Sequence, residues 1–415
     1  MDVTFPQDRL AADVSPQISD DRAFTGPLGE YAQMAASLTE VDPYAVLVTT
    51  LVAAGTVLGP GPHVRTGDAT HPAALFALLV AETPKANRGM SWRLARQLIA
   101  AADPAPGRVP LVQGLSSEVG LIGALGLRRR GAGRHGPDRP DVRSLLVHEP
   151  AFARTLTMAR RASSPLPWLL RNAWDGLPLD PIRNPAVRHH VGIVAHLTLE
   201  QLRSQVSLAD ASAIFLGRFL FVRVRRPRPV LDEGAVPAAA TARLGQLLAP
   251  RLAAARVAGP LTRDTDALAF WYRSYGELSA DDPDGLLGIA VARAAWFVTR
   301  LSMVYAIAEG DLTIRRRHLE AALSLWRYCR ASAAWALGSR EPDSLEQRLL
   351  EAISRAGPAG LSLSQQSASF SRNVPAAQIC AARQFLEDRG MIETVPVSGA
   401  GPGRPARVSR ARQSR

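Results

Sequence analysis

Apolar positions follow three successive patterns along the 415-residue chain. Residues 26–60 place them at helical spacing and stop at the breaker Gly59-Pro60-Gly61-Pro62, which predicts a helical N-terminal region. Its most apolar stretch, Tyr44–Leu58, has Asp42 set to act as N-cap and Pro43 at the first helical position. At 15 residues with three threonines it is short of the roughly 20 apolar residues that a membrane span needs, and it reads as a buried helix. The pattern then changes. Segments 73–82, 144–150 and 191–198 are unbroken apolar runs of strand length, and 219–225 alternates apolar and basic at its end. Strands buried on both faces lose alternation in this way. Helix candidates at 91–103 and 165–176 lie between them, so the order predicts an α/β core with a mostly parallel sheet.

From about residue 238 the strands stop. Segments 237–259, 285–310 and 316–338 are Ala/Leu-rich with helical periodicity, and Arg293 and Arg300, seven apart, share a face. They predict a helical layer over one side of the core. The last 70 or so residues read helix, helix, helix, hairpin, which is the winged-helix order, with the third helix as recognition helix and the Arg-rich hairpin as wing. The expected divisions are 1–70, an N-terminal helical region; 71–237, the α/β core; 238–338, a helical subdomain; and 339–415, a winged-helix domain with a basic tail.

Composition excludes several classes. With 47% hydrophobic and 21% charged residues the chain has the makings of a folded soluble protein, not a disordered segment or a coiled-coil rod. Two cysteines, Cys329 and Cys380, exclude a disulfide scaffold and suit a reducing compartment. The polar, acidic N-terminus shows no secretion signal, so the cytoplasm is the expected location, without membrane association.

Charge sharpens the picture. The net charge is +12, but segments 128–143, 217–228 and 401–415 together carry +14 while the other 372 residues net −2. A GC-rich genome accounts for arginine over lysine, since Lys85 is the only lysine, but not for the clustering. Focal basicity suits a polyanion, which makes DNA the expected partner. Arg128, Arg129, Arg130 and Arg134 in the internal segment, with Arg404 and Arg407 in the tail, are the expected contacts.

Candidate chemistry follows the strands. The first strand runs into AETPKANRGMSW (81–92) and then a helix, the arrangement in which helix N–H groups cradle a phosphate. Lys85, Arg88, Gly89 and Ser91 stand in the right neighbourhood, although no regular GxxxxGK[ST] run is present. Glu149 ends the second strand, where an acid can serve a nucleotide-bound Mg²⁺. His196 lies near the end of the third, where a polar residue can sense a terminal phosphate, and Arg218 opens the fourth, where it can reach a neighbouring subunit's nucleotide. Each has a plain structural alternative: an ordinary loop, a solvated strand end, a hydrogen-bonded core histidine, an edge arginine. Their order along the chain is what favours chemistry.

The motifs HPAALFALLVAETPKANRGMSW, GLSSEVGLI, SLLVHEPAFARTLTMARRASSPLPWLLRNAWDG, VGIVAHLTLEQL, GRFLFVRVRR and HLEAALSLWRYCRAS resemble, together and over nearly the whole chain, a family of helicase-like proteins of unassigned function. That family occurs on mobile elements of high-GC bacteria, often beside primase-polymerases. The resemblance implies a RecA-like P-loop core, ATP and Mg²⁺ as cofactors, a homo-oligomer and a primase-polymerase as possible partner. The chain also departs from the family's pattern. Ala81 replaces the glycine that opens the phosphate loop, Arg88 the phosphate lysine, Met90 the magnesium-side threonine, and Ala151 a second carboxylate. Arginine does not substitute freely for lysine in a tight cradle, and a thioether does not ligate Mg²⁺. Ser91 and Glu149 remain as candidate metal ligands, with Glu149, His196 and Arg218 as candidate catalytic groups. Weak hydrolysis is therefore expected. A catalytically degenerate DNA-binding scaffold and a winged-helix regulator are the alternatives.

Overall fold

The computed structural model describes residues 20–83, 88–103, 109, 111–115, 121, 142–161, 163–179, 188–206, 211–226, 234–280, 283, 285–337, 345–370, 374–388, 390–397 and 406–411. The chain forms two compact units, Met1–Gly338 and Ser339–Arg415.

The first unit is a mixed α/β structure. It opens with helices α1 (Gly26–Leu38) and α2 (Pro43–Leu58). The Asp42 carboxylate caps α2, accepting from the N–H groups of Tyr44 at 2.9 Å and Ala45 at 3.2 Å, and α2 is buried from Tyr44 to Leu58. A hairpin, β1 (His63–Thr66) and β2 (Ala69–Pro72), follows; the sequence pattern did not predict it.

The core is a five-stranded parallel sheet. In chain order its strands are β3 (Phe76–Ala81), β4 (Leu111–Gln113), β5 (Val142–Glu149), β6 (Arg188–Thr198) and β7 (Leu220–Val224), and in space they lie β4-β5-β6-β3-β7. Four were predicted. The fifth, β4, escaped because a three-residue, half-exposed edge strand leaves almost no periodic signal. The sheet's first-made strand, β3, ends up between the last two, and all six of its residues are buried.

Helices leave the sheet toward opposite faces. On one face α2 lies flush, because a Cβ on Gly192 of β6 would stand 1.9 Å from Thr56 Oγ1 and one on Gly55 would stand 2.3 Å from the Ala73 carbonyl oxygen. Helix α3 (Arg88–Ala102) packs beside α2. On the other face Phe152, which starts α4 (Phe152–Ala159), and Phe76 each lie 5.3 Å, centroid to centroid, from Phe219. Helices α5 (Leu166–Asp175) and α6 (Leu199–Gln205) complete the connections.

The expected helical layer is present as α7 (Ala238–Ala255), α8 (Thr265–Leu278), α9 (Gly285–Val291), α10 (Ala294–Glu309) and α11 (Arg316–Leu337). The run 285–310 is two helices, not one. It breaks at Ala292, and Arg293 becomes the N-cap residue of α10. The stretch Gly285–Glu309 is long and apolar enough for a membrane span, yet most of it is buried inside the unit. A two-residue parallel pair, β8 (Thr262–Arg263) and β9 (Thr313–Ile314), joins the layer's loops.

The second unit has its own small core of Leu349, Ile353, Phe370, Ile379, Ala382, Leu386 and Ile392. It contains α12 (Leu345–Arg355), α13 (Leu363–Ser369) and α14 (Ala376–Asp388). An antiparallel sheet orders β10 (Leu361–Ser362), β12 (Ala406–Ala411) and β11 (Ile392–Val397), with β12 central.

Candidate functional site

The carboxyl edge of the parallel sheet is where the candidate residues gather. Helix α3 leaves β3 toward one face, while α4 and α6 leave β5 and β6 toward the other. In open parallel sheets such a divergence opens a crevice beyond the strand ends, the usual place for a ligand. Ala81 of β3 is in register with Thr198 of β6 and Val224 of β7.

Lys85 lies outside the described residues. Arg88 begins α3, and its side chain is likewise not described. Gly89 is exposed, and a Cβ there would meet nothing within 4 Å, so the chain leaves open space at the head of the helix. Met90 is buried, with its Sδ 2.6 Å from Arg93 Nη2 on the next turn. Ser91 is fully buried.

Glu149 ends β5 as expected and is 5% exposed. Its carboxylate holds the backbone: Oε2 accepts from the Leu115 N–H at 2.5 Å and Oε1 from the Ala151 N–H at 2.8 Å. Gly114, with φ of 91°, turns the chain just after β4, and its N–H donates to the His148 carbonyl at 2.9 Å. Glu149 is thus a clamp that ties the ends of β4 and β5 together. A carboxylate has about four lone-pair directions, so those not taken by the two amides remain for a further donor.

His196 is buried two residues before the end of β6, in register with Leu79, on the face that carries α2 and α3. Its ring meets that of His148 edge-on at 5.1 Å, and His148 stacks on Trp92 of α3 at 4.3 Å with the rings 10° from parallel. Burial pushes His148 down to about 4, so it is neutral at physiological pH. The polar residue at the strand end itself is Thr198, which caps α6 through Gln201. The Trp92–His148–His196 stack was not anticipated. Its only sequence signal is a tryptophan in the first turn of a helix that follows an apolar strand.

Arg218 stands apart. It closes a 3-10 turn, Ala211–Arg218, and enters β7 from the amino end, whereas Val224 at the carboxyl end is the partner of Ala81. Its guanidinium is buried and bonds Asp175 of α5 at 2.7 Å. The structure therefore brings Ser91, Glu149 and His196 to one region and does not bring Arg218 there. Of the expected DNA contacts, Arg128, Arg129, Arg130, Arg134 and Arg404 lie outside the described residues. Arg407 is exposed on β12 of the second unit.

The described donor set offers little to a directly bound Mg²⁺. Hard dications take oxygen ligands. Met90 and Ala151 offer none from their side chains, and Glu149 is already engaged by two amides. A different group, Glu309, Asp311 and His318, places potential ligand atoms within 4.8 Å of one another. Arg317 spans both carboxylates and Arg315 binds Asp311, while His318 Nδ1 accepts the Arg315 N–H and Nε2 donates to Glu309. Two guanidiniums already neutralise these carboxylates and oppose a cation, so the group is an ionic lock at the α10–α11 turn. No family model matches the chain, and no curated protein is significantly similar to it.

Proposed function

We propose that the chain is a helicase-like, nucleotide-binding protein that acts on DNA in mobile-element replication or maintenance, with a RecA-like core and weak hydrolysis. One observation carries the nucleotide reading: the arrangement at the carboxyl edge, where β3 runs toward the head of α3 and Glu149 is fixed at the end of β5, with β6 between the two strands. The helix head supplies N–H groups and a partial positive charge, and the sequence supplies two cations, Lys85 and Arg88, in the segment that leads into it. The helicase-like and mobile-element parts rest on the motif resemblance. The winged-helix reading of the second unit rests on its three helices and β-hairpin, with Arg407 on the strand after the turn.

Weak turnover follows from the same residues. The position of the magnesium-side threonine is held by a methionine in contact with Arg93. Ala151 is the exposed N-cap residue of α4 and contributes no carboxylate. The deciding experiment measures ATP binding and turnover by the purified protein with and without single-stranded DNA. Binding with little turnover is expected, and the Arg88→Lys, Met90→Thr, Ala151→Glu triple variant should raise turnover. Brisk DNA-stimulated hydrolysis by the wild type would show that the departures are neutral. Absence of nucleotide binding would favour the scaffold alternative.

A further inference from the structure

Away from the carboxyl edge, the structure buries more positive charge than it pairs. Asp175, the last residue of α5, is surrounded by arginines from three elements. Arg218 Nη2 bonds its Oδ2 at 2.7 Å. Arg293, the N-cap residue of α10, lies next to Arg218: a Cβ on Gly217 would be 3.2 Å from Arg293 Nη1. Arg300 is buried and bonds the carbonyls of Ala74 at 2.8 Å and Trp174 at 2.9 Å, with its guanidinium 3.7 Å from the Trp174 ring centroid. Arg171, one helical turn before Asp175, adds to the field that, after burial and Arg218, holds Arg293 below the ordinary guanidinium range. Four cations thus face one carboxylate.

The hydrogen bonds show the same imbalance. Arg218 is 6% exposed, yet its Nε and Nη1 have no acceptor among the described residues. The same holds for Arg293 Nε and Trp174 Nε1. Every unsatisfied group here is a donor, and buried charged donors are costly to leave without acceptors. An oxyanion supplies what the cluster lacks: several acceptor oxygens and negative charge. Two tryptophans flank it. Trp296, 41% exposed, has Arg293 5.8 Å from its ring centroid, and Trp168, 40% exposed, shares the α5 face of Arg171 and Asp175 at i, i+3 and i+7. Trp296 also stacks on Trp174 at 5.8 Å, and partly exposed aromatic rings beside guanidiniums suit unpaired bases with their phosphates, because duplex bases are already stacked.

We infer that the Arg171–Arg218–Arg293 cluster around Asp175 binds a backbone phosphate of single-stranded nucleic acid, with Trp168 and Trp296 stacking on the adjoining bases. The inference rests on the DNA reading above and gives it a site within the first unit, away from the sheet's carboxyl edge.

The test is fluorescence anisotropy of labelled oligothymidylate across a salt series, with thermal melting of each variant as a folding control. The Arg171→Ala, Arg293→Ala double variant, which spares the buried Arg218–Asp175 pair, should bind at least tenfold more weakly. Its log–log salt slope should fall by about 0.7 for each phosphate that is no longer neutralised. Trp296→Ala should weaken binding and leave the slope unchanged. Asp175→Asn should bind more tightly, the opposite of what a purely structural ion pair would give. An unchanged affinity and slope in the double variant overturns the inference, as does a wild type that binds no oligothymidylate. If only deletion of 401–415 abolishes binding, the DNA reading stands and this site falls. If the double variant instead loses labelled ATP while keeping the strand, the cluster belongs to a nucleotide, and the inference falls as well.

Discussion

A carboxylate that accepts two backbone N–H groups in a buried place has no good substitute, and Glu149 is one. Glutamine keeps one acceptor oxygen and turns an NH₂ donor toward the other amide. Removing a partner from a buried polar group costs about 1–3 kcal/mol. Glu149→Gln should therefore lower the unfolding free energy of the first unit, read from urea denaturation, by that order even in the absence of nucleotide. A variant of wild-type stability that loses only ATP binding would mean that the clamp is not structural. Single residues with a strong local role were legible beforehand. Asp42 stands where an N-cap must, before a proline and an apolar run, and it caps α2. Glu149 was found as a strand-end acid, though not as a clamp. Its bond to Leu115 crosses 34 positions of chain, and no spacing rule reaches that far. The His148 stack was hidden for the same reason.

At the scale of elements, unbroken apolar runs marked three of the four predicted strands because a parallel sheet covered on both faces leaves no polar side to alternate with, and β7 was marked by an apolar run that turns basic at its end. What stayed out of sight were β4 and the β1–β2 hairpin, too short to show a period, and α8, whose outer face carries Leu268, Tyr272 and Tyr275. How closely α2 approaches the sheet was also invisible, because a glycine in a strand run says nothing about its neighbour. Gly192→Ala drives a methyl into Thr56 and should destabilise the first unit by roughly 1–3 kcal/mol, the usual cost of overpacking, read from chemical denaturation. Thr56→Ser with it should not rescue, since the clash is with Oγ1; Thr56→Ala should rescue in part. The α10–α11 turn makes an acid-sensitive joint. The hydrogen bond from His318, and then that from Arg317, hold Glu309 down to about 2, against 4.5 in the unfolded chain. A folded value below the unfolded one stabilises above about pH 4.5, and the contribution is lost as pH falls toward 2. The loss of urea midpoint between pH 5 and pH 3 should be smaller in Glu309→Gln than in the wild type.

For the whole molecule, two separate cores imply two melting events. The second unit has fewer than 80 residues and a core of seven buried side chains, and small domains bury the smaller share of their surface. Its transition should come first in calorimetry. Ile379→Ala, which removes about 2–5 kcal/mol of core packing, should erase or lower that transition and leave the higher one in place. The sheet order has a consequence for synthesis. β3 leaves the ribosome early, apolar on both faces, with both hydrogen-bonding edges bare. Its partners β6 and β7 are made about a hundred residues later, a wait of roughly 5–20 s at ordinary elongation rates of about 5–20 residues per second. Throughout that interval the middle of the future sheet is an exposed, sticky edge of the kind that pairs with whatever strand it meets. The nascent chain thus carries its most aggregation-prone segment before it can make anything to cover it, and its yield in a cell depends on what shelters residues 76–81 in the meantime.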